Sequence, residues 1–309
     1  MMKGCWIAGA ILLTIGIIIF AIGAGLSVGS MDYQTVEESF SNGIHGLKVN
    51  CGAEDVYIRP STDDQYHVFC SGSDKSEFKV EVIEGILTVT AERNYLDNLI
   101  FWGIGEEMKI TVQLPVANSI TSLESLTIDT ASGDVLVAEN LLFRRCDLNT
   151  ASGDVIFKGD VQGKMNIETT SGDITVEDAS QAPSYECTLN STSGSIIAKS
   201  LNATAFIVET TSGDVLLENC DFGALTANAV SGEIDLEGVD VDECYIRTTS
   251  GDVSAGLAKE MDFHCSSTSG DIETPPSASN GGLCQITTTS GDIEVWIHTR
   301  NSATRSDRK

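Results

Sequence analysis

The chain is short of positive charge. Of its 309 residues only 18 are Lys or Arg, against 45 Asp or Glu, a formal net charge of -27. A nucleic-acid surface needs basic side chains to neutralise phosphates, so nucleic acid is excluded as a partner. Catalytic signatures are missing too. The four histidines, His45, His67, His264 and His298, stand at unrelated positions, and no HExxH, nucleophile elbow, CxxC or phosphate-binding glycine loop occurs. Aromatic residues make up only 6% of the chain, so burial must rest on Val, Ile, Leu and Ala. Proline is scarce at 5 while glycine reaches 29, which excludes a Pro-rich disordered chain and fits β structure with many glycine turns.

Charge is also missing locally. Residues 5–29 read CWIAGAILLTIGIIIFAIGAGLSVG without one charged side chain. As a helix this run would extend ~37 Å, enough to span a bilayer, and it exceeds the apolar core of about 7 to 15 residues found in cleaved signal peptides. The expectation is one uncleaved transmembrane helix. Lys3 precedes it, and Asp32, Glu37 and Glu38 follow it before the first basic residue, Lys48. The positive-inside rule then leaves the amino terminus in the cytoplasm and the remainder outside.

What is present is a repeat. Ser-Gly-Asp or a close variant begins at Ser132, Ser152, Ser171, Ser193, Ser212, Ser231, Ser250, Ser269 and Ser290, with spacings of 19 to 22 residues. Six positions before each serine stand Leu126, Cys146, Met165, Cys187, Phe206, Leu225, Cys244, Phe263 and Cys284; four before, Ile128, Leu148, Ile167, Leu189, Val208, Ala227, Ile246, Cys265 and Ile286. Two before, the column is Thr or Ser except at Ala229, and the residues between, such as Asn149, Glu168, Asn190, Glu209, Asn228 and Arg247, are polar. Such period-two alternation describes a half-buried strand. Three positions after the serine the apolar signal resumes, from Val135 to Ile293. Each repeat is strand, glycine turn, strand and return loop.

A unit this small cannot bury its apolar face alone, so successive units must stack. The expected fold is all-β, a single-chain parallel β-solenoid of nine to ten rungs about 4.8 Å apart. Residues 1–30 are assigned to the anchor helix and 31–115 to an N-terminal β cap, in which VNCGAEDVYI is a degenerate first rung. Residues 116–297 form the solenoid repeats, and 298–309 a basic, disordered tail. Within the cap the apolar segment Leu99–Gly105 is read as packing onto the cap or solenoid, with a partner or membrane-surface contact as the alternative.

The succession VNCGAEDVYI, EGILTV, KITVQLP and repeated TxSGDV or TxSGDI resembles the bacterial β-strand-repeat family of unknown function labelled "putative adhesin", over roughly residues 40 to 297. That resemblance implies an envelope-associated β-solenoid with no established enzymatic activity. The function expected is therefore a membrane-anchored, noncatalytic, extracytoplasmic surface module of adhesin-like binding or structural character. Its partners would be the membrane, through residues 5–29, and a cell-envelope polymer or protein, with self-association through the solenoid edge or end. The alternatives are an envelope-stress sensing or regulatory component and, more distantly, a carbohydrate-active β-helix enzyme; the even repeat spacing leaves no long insertion to wall a substrate cleft.

Two columns bear on chemistry. Asp134, Asp154, Asp173, Asp214, Asp252, Asp271 and Asp292 share one turn position, interrupted by Ser195 and Glu233. Carboxylates recurring every ~4.8 Å repel one another, which makes Ca²⁺ the candidate cation and the column a candidate metal ladder. Against it stands the structural reading, in which each Asp accepts turn amides and faces water. No catalytic or cofactor-binding residue is assigned. The chain also has 9 cysteines. If rungs stack in sequence order, Cys146, Cys187, Cys244 and Cys284 lie two or three rungs apart, ~9.6 Å or more and beyond disulfide reach. They read as small buried hydrophobes, with Cys265 in a neighbouring column as a candidate partner.

Overall fold

The computed structural model describes residues 34–41, 43–72, 76–93, 108–115, 121–179 and 186–298. The apolar run 5–29, the Leu99–Gly105 segment and the tail beyond His298 lie outside the described residues. Among the described residues all regular structure is β, and no helix is long and apolar enough to cross a membrane.

Seven strands precede the repeats: β1 (Gln34–Phe40), β2 (Gly46–Asn50), β3 (Asp55–Pro60), β4 (Tyr66–Gly72), β5 (Ser76–Ile83), β6 (Ile86–Arg93) and β7 (Lys109–Leu114). The repeats then alternate long pre-turn and short post-turn strands. The pre-turn strands are β8 (Thr121–Thr130), β10 (Leu141–Thr150), β12 (Asp160–Thr169), β14 (Glu186–Ser191), β16 (Asn202–Ser212) and β18 (Asp221–Ser231). Their post-turn partners are β9 (Val135–Val137), β11 (Val155–Phe157), β13 (Ile174–Glu177), β15 (Ile196–Lys199) and β17 (Val215–Glu218), followed by β19 (Ile234–Arg247), which runs through a corner into the next pre-turn strand. The chain closes with β20 (Val253–Leu257), β21 (Asp262–Ser269), β22 (Ile272–Glu273), β23 (Leu283–Ser290) and β24 (Ile293–Ile297).

Pre-turn strands pair in parallel from β8 to β19, and post-turn strands from β9 to β20, with the apolar columns in register: Leu126, Cys146, Met165, Cys187, Phe206, Leu225 and Cys244 follow one another strand by strand. The core lies between these two ladders. Their inward residues are almost all shielded from solvent, and aromatic side chains meet across or along the stack, Phe206 on Phe222 with centroids 4.6 Å apart and Phe143 near Phe157 at 6.2 Å. Each such buried side chain contributes roughly 1.5–3 kcal/mol, which is why a rung is stable only with neighbours.

Sequence order fails at both ends. The first rung of the chain, β2 with β3, lies between β8–β9 on one side and β6–β7 on the other. At the far end β19 and β20 pair not with β21 and β22 but with β23 and β24, and β21 and β22 lie beyond those. The repeat of Ser290 is thus inserted between the repeats of Ser250 and Ser269. The expected count of about nine to ten rungs is corrected accordingly. Eight Ser-Gly-Asp repeats form full turns with post-turn strands of three residues or more; that of Ser269 has only the two-residue β22; and two rungs without the tripeptide precede them. The edge strands also differ between ends. At the N-terminal end β1, β4 and β5 pair antiparallel, and at the C-terminal end residues 274–282 fold against β21, where the Phe263 amide donates to Ser277 Oγ at 2.7 Å.

The outward post-turn column Leu136, Ile156, Thr175, Ile197 and Leu216 is half-buried. Strands β3 and β7 continue that face with Tyr57 and Thr111 rather than lying across it.

Candidate functional site: the turn columns and the groove beside them

The turn glycines are required by close approach. Gly153, Gly172, Gly194, Gly213, Gly232 and Gly251 each set their Cα against the carbonyl of the glycine one rung below, and a Cβ at any of them would collide with it. The Thr column clamps the same turn. Thr169 is 6% exposed; its hydroxyl accepts from the Gly172 amide at 3.1 Å and donates to the Gly153 carbonyl at 3.4 Å. Thr130, Ser191, Thr210 and Thr288 likewise donate to a glycine carbonyl of the adjoining rung. In the first rung, which lacks the tripeptide, the buried Glu54 carboxylate instead accepts from the Gly52 and Ala53 amides at 3.0 and 3.1 Å.

All seven candidate aspartates stand in one exposed column, and each carboxylate with a rung above it accepts that rung's turn amide. The bonds run Asp134 to the Asp154 amide (2.9 Å), Asp154 to Asp173 (2.8 Å), Asp173 to Ser195 (2.7 Å), Asp214 to Glu233 (2.9 Å), Asp252 to Asp292 (2.8 Å) and Asp292 to Asp271 (2.8 Å). The ladder starts one rung earlier than the tripeptide does: Asp55 accepts from the Asp134 amide at 3.0 Å. It also repeats the exchanged order of the last two rungs. With one oxygen of each of these Asp committed to an amide, the column is a rung-to-rung ladder. Ca²⁺ wants six or more oxygens around one point, and no group of three or more His, Cys, Asp or Glu gathers in that way among the described residues.

Beside the ladder, on the outer face of the pre-turn strands, runs an open groove of about 900 Å³. Its floor is the column three positions before the serine: Asp129, Asn149, Glu168, Asn190, Glu209 and Asn228, in-register neighbours throughout. Acid and amide alternate without exception, so no two carboxylates are adjacent, and Asn149 and Asn228 donate to Asp129 and Glu209 at 2.9 and 3.0 Å. Asn190 Oδ1 is shielded from solvent and has no hydrogen-bond partner among the described residues. A second hollow, of about 460 Å³, shares Asn228 and extends onto the exchanged rungs, where Tyr245, 37% exposed, and Arg247 stand beside Gln285 and Thr287. The alternation was present in the sequence, where it read only as polar filling between apolar columns.

A second set of corners also went unread. Asn140, Asp178, Ser200, Asn219 and Gly238 close the return side with φ between 53° and 65°. Asn, Asp and Gly accept that left-handed conformation at least cost, but one residue of varying type per rung leaves little signal.

Two facing parallel ladders, a glycine–threonine–aspartate corner and an exposed groove along the stack define the class of protein as a parallel β-solenoid. The chain belongs to the Toastrack DUF4097 family, whose model matches residues 44–295. Among solved structures it is similar to a putative lipid binding protein from Parabacteroides distasonis, at 18% identity and a TM-score of 0.51, covering 87% of this chain and 98% of that one. It is also similar to a putative adhesin from Bacteroides fragilis, at 17% identity and a TM-score of 0.42, covering 85% and 97%. The first likeness extends to the fold. No curated protein matches the chain.

Proposed function

We propose that the protein is a noncatalytic binding module of the bacterial cell surface, held in the membrane by residues 5–29 with its solenoid outside the cytoplasm. Its groove would take an extended, neutral, hydroxyl-rich polymer of the envelope. The observation that carries this reading is the floor of one polar side chain per rung, acid and amide in alternation over six rungs, which ends beside an exposed Tyr and an Arg. Carboxylates accept from hydroxyls and amides both donate and accept, so a polyol can be bonded along the whole groove. The half-exposed ring of Tyr245 adds an apolar platform at one end. A net charge of -27 opposes an anionic polymer.

The test is retention of the full chain, in detergent, on insoluble neutral polysaccharides. Glu168→Leu, which removes a central acceptor, and Tyr245→Ala should each weaken retention by about tenfold, corresponding to ~1.4 kcal/mol. Retention unchanged by both substitutions, or binding confined to basic polypeptides, would contradict the assignment.

A further inference from the structure

The exchange of the last two rungs brings together two cysteines that sequence order keeps apart. Cys244 on β19 and Cys284 on β23 are direct register partners, both wholly shielded from solvent and both free thiols. In-register residues on adjacent parallel strands stand about 4.8 Å apart, inside the roughly 4.4–6.8 Å Cα separation that a disulfide spans. The same column offers no second pair of this kind: Met165 lies between Cys146 and Cys187, and Phe263 pairs with Cys284 on its other side. Cys265 pairs with Ile286 instead.

We propose that Cys244 and Cys284 are a disulfide site that staples the inserted C-terminal rung to the rung it docks on. The oxidant is a disulfide, of a small thiol or of an oxidised dithiol protein. The Cys284 thiolate attacks one sulfur of that disulfide, forming a mixed disulfide and releasing one thiolate, which takes up the proton that Cys284 lost. The Cys244 thiolate then attacks the Cys284 sulfur, expelling the second thiol with the second proton. The protein loses two hydrogens and the oxidant gains them. The exchange belongs to assembly, before the rung closes: in the folded chain the adjoining Cys284 thiol, and then burial, raise the pKa of the Cys244 thiol well above its ordinary value of 9.0. A bond made then is sealed from reductants afterwards, and it joins the two ends of a segment that includes the whole of β20, β21 and β22.

The full chain, reduced and unfolded, is refolded in detergent against a mixture of oxidised and reduced glutathione, alkylated and digested for mass spectrometry. The expected product is a Cys244–Cys284 linked peptide in most molecules, with an unfolding midpoint roughly 5–10 °C above that of the reduced protein. Both effects should vanish in Cys284→Ala and persist in Cys146→Ala. Alkylation of both cysteines when the refolded, oxidised protein is unfolded without reductant would overturn the proposal. So would a dominant link from Cys244 to Cys265, the cysteine that sequence-order stacking places one rung away.

Discussion

The middle and the ends of this solenoid are built from the same repeat but held by different means. From Ser132 to Ser250 each rung lies on its sequence neighbour, and the glycine column passes its contacts upward without a break, while the threonine and aspartate columns follow the same order with interruptions at Ala229, Ser195 and Glu233. At the two ends the chain skips a place and later returns to fill it. The first rung, β2 with β3, and the last, β23 with β24, are each second from an end of the stack. Parallel edges expose unpaired backbone groups and fray. Placing the first and last rungs one place inward means that neither can separate without breaking pairing on both sides, although the preceding strand β1 is itself an edge strand on β4. The outermost places fall to segments closed by antiparallel strands at one end and by residues 274–282 at the other.

Five substitutions, in three tests, would break or sharpen that contrast. The largest effect is expected in the glycine column. Gly172→Ala places a Cβ against the Gly153 carbonyl with rungs fixed on both sides, and should cost about 3 kcal/mol or more in denaturant unfolding. Gly270→Ala makes the same collision with Gly291, but on the outermost rung, which can shift; about 1 kcal/mol is expected there. Equal losses would mean that the end is as rigid as the middle.

The carboxylate ladder should show a smaller difference of the same sign. Asp173→Ala removes the acceptor of the Ser195 amide and should cost about 1 kcal/mol. Asp271→Ala, on the rung beyond which no described strand follows, should be close to neutral. The smallest effect concerns Asp235, where the outward post-turn column turns from apolar to acidic. Burial, together with Glu237, Glu233 and Glu218, raises its pKa above 3.8. The folded state therefore favours the neutral carboxyl, so stability it withholds at neutral pH returns as pH falls through the raised value. Asp235→Asn should gain about 0.5 kcal/mol at pH 7, a screened figure for a partly exposed group, and nothing below the ordinary Asp range. A gain that persisted under acid would point to packing rather than charge.

The sequence carried the regular part of this architecture because a 19-residue period repeats its apolar and turn positions nine times. Strand polarity, inward columns and the common place of the aspartates all follow from that alignment. The stacking order at the ends does not. Every repeat offers the same apolar face, so Cys284 fits against Cys244 as well as Phe263 would, and local pattern cannot rank the two. Asp55 escaped notice because CGAED places two residues between glycine and aspartate where the repeats place none. A glycine at a turn can serve either a positive φ or a close approach, and only the neighbouring rungs decide between them. The cysteine column was read as disulfide-incompetent for the same reason: the distance argument was sound, but the order on which it rested was not. Self-association is expected through the solenoid edge or end, and in sequence order that end would be the rung of Val295 and Trp296. Val295 is paired with Ala255 inside the stack, so any such contact would fall on β21 and β22.

The exchanged order of the final rungs is tested most directly by methyl nuclear Overhauser spectroscopy on protein labelled at the isoleucine δ1 positions. Ile246 and Ile286 are buried in-register neighbours, and a strong cross-peak between them is expected. If the repeats stack in sequence order, these two residues lie two rungs apart, ~9.6 Å in backbone spacing. The cross-peak would then be absent or very weak, and the account of how the solenoid closes its C-terminal end would be wrong.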